Sequence, residues 1–167
     1  ILGGGQLALM LSHASAALGI TTKLLVQKPA DALPGLAGEV IVGNWNDPDS
    51  VLTFARTVDV VTLENEFVNP SSLAAIESAG ISLLPSLGSI QLIQDKWAQK
   101  EALIRAGIPV VPCASVRSPL DVTLFASSHG WPVVLKRRHM GYDGKGNTTV
   151  HHADELAVAW ESLSVND

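Results

Sequence analysis

Short β-rich runs alternate with turn-rich or helix-like segments through the first half of the sequence. The runs at 22–26, 39–42 and 59–63 are rich in Val, Leu, Ile and Thr. Strands that are joined by helical crossovers pack side by side as a parallel sheet. The alternation therefore predicts an α/β fold in which residues 1–85 form a Rossmann-like open parallel sheet. The run DVVTL at 59–63 is nearly all apolar, which predicts a strand buried on both faces.

The turn-rich segment PSLGS at 85–89 marks the predicted boundary between two domains, 1–85 and 86–167. Proline, serine and glycine at neighbouring positions interrupt the periodic patterns on either side. In the second domain we predict, in order, a helix at 90–106, a strand at 114–117, a helix at 120–129, strands at 132–137 and 148–151, and a helix at 154–163.

Composition limits the classes of function. Hydrophobic residues make up 47% and charged residues 16%, as in globular proteins. No apolar run approaches the ~20 residues of a membrane-spanning helix, so we expect a soluble protein without a membrane partner. The net charge of −5 disfavours a nucleic-acid partner, which normally meets a basic surface. The single cysteine, Cys113, rules out an intramolecular disulfide and predicts a cytoplasmic location.

Both ends of the sequence have the pattern of interrupted elements. Ile1 and Leu2 resemble the last residues of a strand, and the helical pattern at 154–163 stops shortly before Asp167. We therefore expect the chain to be an incomplete fragment of a longer protein.

The glycine turn GGGQLA at 3–8 fits the pattern G-x-G-x-x-A of phosphate-binding turns. Glycines allow a ligand to approach the backbone closely, and the following helix offers N–H groups and a positive dipole end. A NAD site also requires an acidic residue about 20 positions further on, whereas VQKP at 26–29 contains none. Three interpretations remain: dinucleotide binding, a purely structural tight turn, and binding of another phosphorylated ligand.

Two carboxylates, Glu64 and Glu66, follow the predicted strand at 59–63. Ligands of open α/β sheets bind outside the carboxyl ends of the strands, which favours a functional position. The alternative is a solvated loop before the next helix.

A lysine and a glycine-rich segment suggest an anion site in the second domain. Lys136 ends the apolar run VVLK, and GYDGKGN follows at 141–147. A lysine at the end of a buried strand either extends its ammonium into solvent or meets a fixed anion. The segment is either an ordinary hairpin turn, for which Asp-Gly is a strong signal, or a loop that closes over polyphosphate.

Several segments together resemble the 5-(carboxyamino)imidazole ribonucleotide synthase family of the ATP-grasp superfamily. They span nearly the whole chain in the same order: GGGQL at 3–7, DVVTLENEFV at 59–68, LLPSLGSIQLIQDKWAQKEAL at 83–103, AGIPVVP at 106–112 and WPVVLKRRHMGYDGKGN at 131–147. The resemblance implies a pre-ATP-grasp domain, followed by a linker helix and the first lobe of an ATP-grasp fold.

The resemblance also implies a reaction of purine biosynthesis. ATP phosphorylates bicarbonate to carboxyphosphate, and the carboxyl group passes to the exocyclic amine of 5-aminoimidazole ribonucleotide, with release of ADP and phosphate. The family implies a requirement for Mg²⁺ and a homodimer as the full-length protein.

Individual positions take their implied functions from the same resemblance. Lys96 and Lys136 match positions that contact ATP, and Tyr142, Asp143 and Lys145 match the reaction centre as catalytic residues. The implied ATP-binding residues are Lys96, Lys136, Gly141, Tyr142, Asp143, Gly144, Lys145, Gly146 and Asn147. The implied substrate-binding residues are Gly4, Gly5, Gln6, Leu7, Glu64 and Glu66.

Two departures from the family pattern bear on these expectations. Ala8-Leu9 stand where the family carries Gly-Arg. The Mg²⁺-binding carboxylates of the family lie in its second lobe, so we expect no metal ligand within 1–167 and no activity from this chain alone.

Three alternative functions remain. One is an enzyme similar to formate-dependent glycinamide ribonucleotide transformylase, which shares the architecture. Another is a NAD(P)-binding oxidoreductase module, against which the missing acidic residue counts. The third is a non-catalytic nucleotide-binding or dimerisation module of the same fold.

Overall fold

A computed structural model describes residues 1–141 and 145–164 of the chain. The chain divides into two compact units, Ile1–Gln91 and Leu92–Asp167, called here the N-terminal unit and the C-terminal unit. The predicted domain division into 1–85 and 86–167 stays a prediction.

The N-terminal unit is built on a parallel sheet. Its strands are β1 (Lys23–Val26), β2 (Glu39–Val42), β3 (Val60–Thr62) and β4 (Ser82–Leu84), and β1 pairs with β2 and β3 with β4 in parallel. Leu2 joins the two pairs through parallel bridges to both Leu25 and Leu63. The spatial order is therefore β2, β1, the N-terminal segment, β3 and β4, which confirms the predicted Rossmann-like parallel sheet.

Three helices connect these strands: α1 (Gln6–Ala17), α2 (Pro48–Ala55) and α3 (Pro70–Ser78). A short 3₁₀ helix, Pro29–Asp31, lies between β1 and β2. Asp47 and Asn69 cap α2 and α3 by accepting hydrogen bonds from backbone N–H groups of the first turn, and a proline follows each cap. The core of this unit joins apolar residues of the sheet to α2 and α3, namely Leu2, Leu25, Val51, Phe54, Val61, Leu73 and Ile76.

Strand β3 is covered less completely than its sequence predicts. Val61 is fully buried, but Val60 exposes 47% of its surface and Thr62 is half-buried. The prediction that this strand is buried on both faces is therefore wrong. An uninterrupted apolar sequence is compatible with a strand that has one exposed face, because apolar side chains also occur on protein surfaces.

The helix predicted at 90–106 is two helices, α4 (Leu87–Gln94) and α5 (Lys96–Arg105). Asp95 separates them with an extended backbone at φ −106° and ψ 105°. Its side chain accepts hydrogen bonds from the N–H groups of Trp97 and Ala98, so it begins a new helix.

The C-terminal unit centres on an antiparallel hairpin. It contains α5, α6 (Pro119–His129), β5 (Val133–Lys136), β6 (Asn147–Val150), a 3₁₀ helix (Ala153–Glu155) and α7 (Leu156–Ser164). The strands pair with Val133 opposite Val150 and Lys136 opposite Asn147. The predicted strand at 114–117 is wrong, since within the described residues this segment joins no strand ladder. The core consists of Val122, Ala126, Val133, Leu135, Val150, Leu156 and Ala159.

Within the described residues, no helix is both long enough and apolar enough to cross a membrane.

Candidate functional site

The glycine turn lies at the carboxyl end of the central strand segment, beside Glu64, the second residue after β3. Gly5 is the N-cap residue of α1, and its N–H donates to Oε2 of Glu64 at 2.8 Å. The N–H of Glu64 in turn donates to the carbonyl of Leu2 at 2.9 Å. Two neighbouring parallel strands therefore bring the turn and this carboxylate together, although Gly5 and Glu64 are 59 positions apart in the sequence.

Close approach of the Glu64 side chain explains the glycines of this turn. Gly3 has a φ of +130°, and a Cβ at this position would overlap the Glu64 side chain. A Cβ at Gly4 would lie 2.5 Å from Cγ1 of Val26 and 2.9 Å from the carbonyl oxygen of Asp31. Glycine is therefore required so that the turn can close on the carboxylate and on the segment after β1.

The Glu64 carboxylate occupies the position at the start of α1 that an anion would favour. The first N–H groups of a helix and its positive dipole end attract negative charge, and here the protein supplies that charge itself. The N–H of Gly5, which a bound phosphate would require, is already satisfied. Of the three interpretations of this turn, the geometry favours a structural tight turn over a dinucleotide site.

The other predicted substrate residues of the N-terminal unit are neighbours in sequence of either the turn or Glu64. Gln6 and Leu7 are exposed in the first turn of α1, with 58% of Leu7 accessible. Gly4 is buried, and Glu66 is half-buried two residues after Glu64. Of this group, the structure brings Gly5 and Glu64 into direct contact.

In the C-terminal unit, the hairpin of β5 and β6 has one buried and one exposed face. Val133 and Leu135 point into the core, whereas Val134 and Lys136 alternate with them and are exposed. The register places Asn147 opposite Lys136, and Asn147 is also exposed. The exposed face therefore carries a lysine next to apolar and amide groups, a combination that suits an anionic ligand with an apolar part.

Lys96 begins α5 and contacts the start of the glycine-rich segment. Its Nζ donates to the carbonyl oxygen of Gly141 at 2.9 Å, and its backbone N–H donates to the carbonyl oxygen of Arg138 at 3.0 Å. A Cβ on Gly141 would lie 3.2 Å from this Nζ and 3.1 Å from the carbonyl oxygen of Lys145. The absence of a side chain at Gly141 thus allows the lysine to approach.

Asp95 links the start of α5 to the segment after β5. Nε of Arg138 donates to both carboxylate oxygens at 2.7 Å, and Nη2 lies 2.6 Å from Oδ2. The hydrogen bond from Arg138, with further bonds from two backbone N–H groups, lowers the pKa of Asp95 to about 2. The same pair raises the pKa of Arg138. The carboxylate is therefore ionised at any pH at which the protein would work.

The sequence did not predict a function for Asp95 or Arg138. The signal for Asp95 was available, because aspartate is a strong helix N-cap. The periodic pattern on both sides of it predicted a continuous helix instead. The partnership with Arg138 joins residues 43 positions apart, which spacing along the chain does not indicate.

Pairing between the two sides of the hairpin continues by one hydrogen bond into the glycine-rich loop, residues 141–147. The N–H of Arg137 donates to the carbonyl oxygen of Gly146 at 2.8 Å, beyond the last paired residues of the strands. Met140 and Gly146 both have positive φ, at 56° and 74°. Tyr142, Asp143 and Gly144 were predicted as site residues and lie outside the described residues.

Basic side chains dominate the described surroundings of this loop, although the chain as a whole is acidic. Lys136, Arg137, Arg138, His139 and Lys145 fall within ten positions of the sequence. Arg137 is bound to the carbonyl oxygen of Leu163, and Arg138 to Asp95. The predicted ATP residues Lys96, Lys136, Gly141, Lys145, Gly146 and Asn147 all belong to this hairpin or to the start of α5.

Metal ligands and one cavity were sought among the described residues. Among residues 1–141 and 145–164, no three His, Cys, Asp or Glu side chains are grouped to hold a metal ion. An open cavity of about 350 Å³ lies between β2 and α2, lined by residues that include Leu25, Ile41 and Phe54. None of the predicted site residues lines that cavity.

Comparison with known proteins relates both units to one group of enzymes. Residues 1–94 match the family model of the ribonucleotide synthetase preATP-grasp domain, and residues 101–167 match the ATP-grasp domain. The chain is 41% identical to phosphoribosylaminoimidazole carboxylase of Ogataea methanolica, over 98% of this chain and 31% of that protein. It is 35% identical to N5-carboxyaminoimidazole ribonucleotide synthase of Synechococcus elongatus, over 97% of this chain and 41% of that protein.

Solved structures give the same grouping. Carboxyaminoimidazole ribonucleotide synthase from Aspergillus clavatus complexed with ATP matches with a TM-score of 0.80 and 32% identity, over 97% of this chain and 43% of that one. The same synthase in complex with ADP and 5-aminoimidazole ribonucleotide matches with a TM-score of 0.79 and 30% identity, over 97% and 42%. The chain thus spans less than half of the length of these relatives.

Proposed function

The chain belongs to the ribonucleotide synthetase preATP-grasp family, and from this membership we propose that it forms part of an ATP-dependent carbon–nitrogen ligase. The proposed reaction is the carboxylation of 5-aminoimidazole ribonucleotide with bicarbonate. An oxygen of bicarbonate attacks the γ-phosphorus of ATP, and ADP leaves with the electrons of the broken P–O bond. The exocyclic amine then attacks the carbon of carboxyphosphate, loses a proton and displaces phosphate.

The observation that carries this proposal is the contact of the Lys96 ammonium with the carbonyl oxygen of Gly141. It joins a lysine at a helix start to the beginning of the glycine-rich loop, and Lys136 ends the strand that precedes this loop in the same unit. Phosphoryl transfer requires such an arrangement, since its catalysis consists mainly of positioning and of neutralising phosphate charge.

We assign the phosphate contacts to Lys96 and Lys136. Each presents an ammonium group that can donate several hydrogen bonds to phosphate oxygens. Lys136 is the stronger candidate for a direct ligand contact, because its side chain is exposed on the open face of the hairpin. Lys96 contacts a loop carbonyl and so connects the loop with the same anion.

The loop residues from Gly141 to Asn147 are proposed to cover the phosphates and the reaction centre. Tyr142, Asp143 and Lys145 are proposed as the catalytic residues within it, on the strength of the family resemblance. A loop that closes over carboxyphosphate would exclude water and so protect this intermediate from hydrolysis.

The N-terminal unit is proposed to face the aminoimidazole ribonucleotide. Gln6, Leu7 and Glu66 have accessible surface near the turn, and Glu64 holds Gly5 in place. Because the Glu64 carboxylate already satisfies the Gly5 N–H, we propose that this turn contacts parts of the substrate other than its phosphate. Gly4, the last of the proposed substrate-binding residues, is buried inside the turn.

Mg²⁺, bicarbonate and a second subunit complete the proposal. Magnesium normally accompanies polyphosphate in phosphoryl transfer. The described residues offer no cluster of ligands for it, so its carboxylates are proposed to lie outside them. Apolar side chains of α1 and of its C-cap residue are exposed, with 60% of Met10 and 78% of Leu18 accessible, and are of a kind that a homodimer interface would cover. A cytoplasmic location is proposed because the substrates are metabolites of the cell interior.

The test is phosphate release from ATP by the full-length protein that carries this sequence. We expect release that depends on 5-aminoimidazole ribonucleotide and on bicarbonate together. Stimulation by glycinamide ribonucleotide with formate would instead support the transformylase. NAD(P)H turnover without ATP consumption would contradict a ligase altogether.

A further inference from the structure

Asp95 makes two kinds of contact, one to the backbone of α5 and one to the side chain of Arg138. Its Oδ1 accepts the N–H groups of Trp97 and Ala98 at 2.9 and 3.2 Å, which fixes the first turn of α5. Its Oδ2 lies 2.6 Å from Nη2 of Arg138, while Nε bonds both oxygens. One carboxylate therefore holds a helix start and a guanidinium in a fixed mutual orientation.

Lys96 is the residue that this arrangement positions. It follows Asp95 directly, so the cap sets the direction in which the lysine leaves the helix. The backbone N–H of Lys96 donates to the carbonyl oxygen of Arg138, the same residue that binds Asp95. The segment after β5 is thus attached to the start of α5 by a side-chain pair and by a backbone bond.

The glycine-rich loop begins from this attachment. Two residues separate Arg138 from Gly141, whose carbonyl oxygen accepts the Lys96 ammonium at 2.9 Å. The contacts form a closed ring from Asp95 through Arg138 and Gly141 to Lys96. We therefore expect a displacement of Arg138 to move both Lys96 and Gly141, the first residue of the glycine-rich loop.

The Asp95–Arg138 pair is held more closely than the Lys23–Glu39 pair. The Asp95 side chain is only 17% exposed and accepts from two nitrogens of a fork-shaped donor. Such bidentate, charge-assisted bonds fix orientation as well as distance. The Lys23–Glu39 pair, by contrast, is a single contact of 3.3 Å with 62% of the glutamate side chain exposed, which is typical of pairs with little effect.

We propose that Asp95 and Arg138 are positioning residues for nucleotide binding, which act by orienting Lys96 and the entrance of the glycine-rich loop toward the phosphates. The proposal rests on the proposed ATP-dependent function. It adds two residues that neither the sequence nor the family resemblance assigned to the site.

Asp95→Asn separates the two tasks of the carboxylate. Asparagine caps helices about as well as aspartate, so the start of α5 is retained. Its amide nitrogen would face the donors of Arg138, so the ion pair is lost. Arg138→Met removes the same pair from the other side without changing the cap.

The expected result in the full-length protein is a KM for ATP raised about tenfold in each variant, as small misplacements of positioning groups produce. The kcat at saturating ATP and the KM for 5-aminoimidazole ribonucleotide should change less. The double variant should be no worse than either single variant, since both remove one interaction. In a Lys96→Met background, Asp95→Asn should have no further effect on the KM for ATP.

Glu39→Gln is the matched control, because it breaks an ion pair in the N-terminal unit and should leave the KM for ATP unchanged.

Equal KM values for wild type, Asp95→Asn and Arg138→Met would overturn the positioning role while leaving the ligase function intact. Multiplicative effects in the double variant, or an undiminished effect in the Lys96→Met background, would overturn it as well. Wild-type protein without ATP turnover would contradict the proposed function itself. If Asp95→Asn fails to fold, the comparison of Arg138→Met with and without Lys96→Met decides the question.

Discussion

Glu64 holds the glycine turn of the N-terminal unit through the backbone of Gly5. Its carboxylate accepts the N–H of Gly5 at 2.8 Å and fills the space that side chains at Gly3 or Gly5 would occupy. A turn whose sequence resembles a phosphate site is therefore closed by an anion of the protein. Gly3 and Gly5 pack closely on this carboxylate, and Gly4 packs closely on Val26 and on the backbone of Asp31.

Replacing Glu64 by alanine should lower the free energy of unfolding by about 1 kcal/mol, since the half-buried backbone N–H of Gly5 loses its acceptor. Glu64→Gln retains an acceptor and should lose less. Urea titration of both variants measures the effect, and Glu39→Ala serves as a control on an exposed glutamate. Equal stability of Glu64→Ala and wild type would show that the turn does not depend on this carboxylate.

Lys136, unlike Glu64, is a charged residue whose side chain is exposed in the structure. It is exposed at the end of β5, while its neighbours Val133 and Leu135 are buried. Lys136→Ala should therefore leave the thermal midpoint of unfolding within about 2 °C of wild type, as surface substitutions generally do. In the full-length protein the same change should raise the KM for ATP by at least about tenfold, because a charge-assisted contact to phosphate is lost.

Lys23→Ala in the N-terminal unit is the control for loss of a lysine. Normal ATP kinetics in Lys136→Ala would remove this lysine from the proposed phosphate site. A large loss of stability with normal kinetics would indicate a structural lysine instead.

At the scale of elements, the start of α5 and the hairpin exit depend on a single carboxylate that titrates at low pH. The Arg138 hydrogen bond lowers the pKa of Asp95 from 3.8 to about 2. A carboxyl group whose pKa is lower in the folded state stabilises the fold above its unfolded pKa. That contribution should be lost as the pH falls from about 4 to about 2.

The unfolding free energy of wild type and of Asp95→Asn, measured between pH 7 and pH 2, tests this coupling. The difference in unfolding free energy between the two proteins should be constant above about pH 5 and should shrink toward pH 2. The reason is that the side chain at position 95 takes up a proton in the wild type but not in Asp95→Asn. Glu39→Gln should run parallel to wild type over the same range if its exposed pair contributes little. A constant difference down to pH 2 would contradict the assignment.

Where the sequence carries a local signal, such as a helix cap, the predicted element agrees with the observed one. Strand β2 has the predicted bounds, and Asp47 and Asn69 begin helices as aspartate and asparagine before proline predict. The parallel order of the first sheet followed from the crossover connections. The helix caps depend on residues within one turn of each other, and the sheet order follows from the sequence of strands and crossovers.

Elements whose limits depend on distant partners differed. Asp95 interrupts the predicted helix because it caps α5 and binds Arg138, a residue 43 positions away. The segment at 114–117 has β-rich residues but joins no ladder within the described chain, and a strand requires a partner. For the candidate site, sequence resemblance indicated Lys96, Lys136 and the loop, whereas the ring through Asp95 and Arg138 required coordinates.

At the scale of the whole molecule, each unit has a different proposed task. The N-terminal unit supplies a parallel sheet whose glycine turn is closed by Glu64, and the C-terminal unit supplies the lysines and the loop. The family membership of the first unit and the ATP-grasp match of the second agree with this division. The proposed chemistry requires both, because one substrate is a ribonucleotide and the other is ATP.

The central claim is that bicarbonate is activated by phosphorylation, and oxygen transfer tests it most directly. Full-length protein would be incubated with ATP, 5-aminoimidazole ribonucleotide and ¹⁸O-labelled bicarbonate, and the released phosphate analysed by mass spectrometry. Attack of a bicarbonate oxygen on the γ-phosphorus, followed by displacement of phosphate, predicts one ¹⁸O atom in each phosphate released. Phosphate released during turnover without the label would contradict a carboxyphosphate intermediate and with it the proposed reaction.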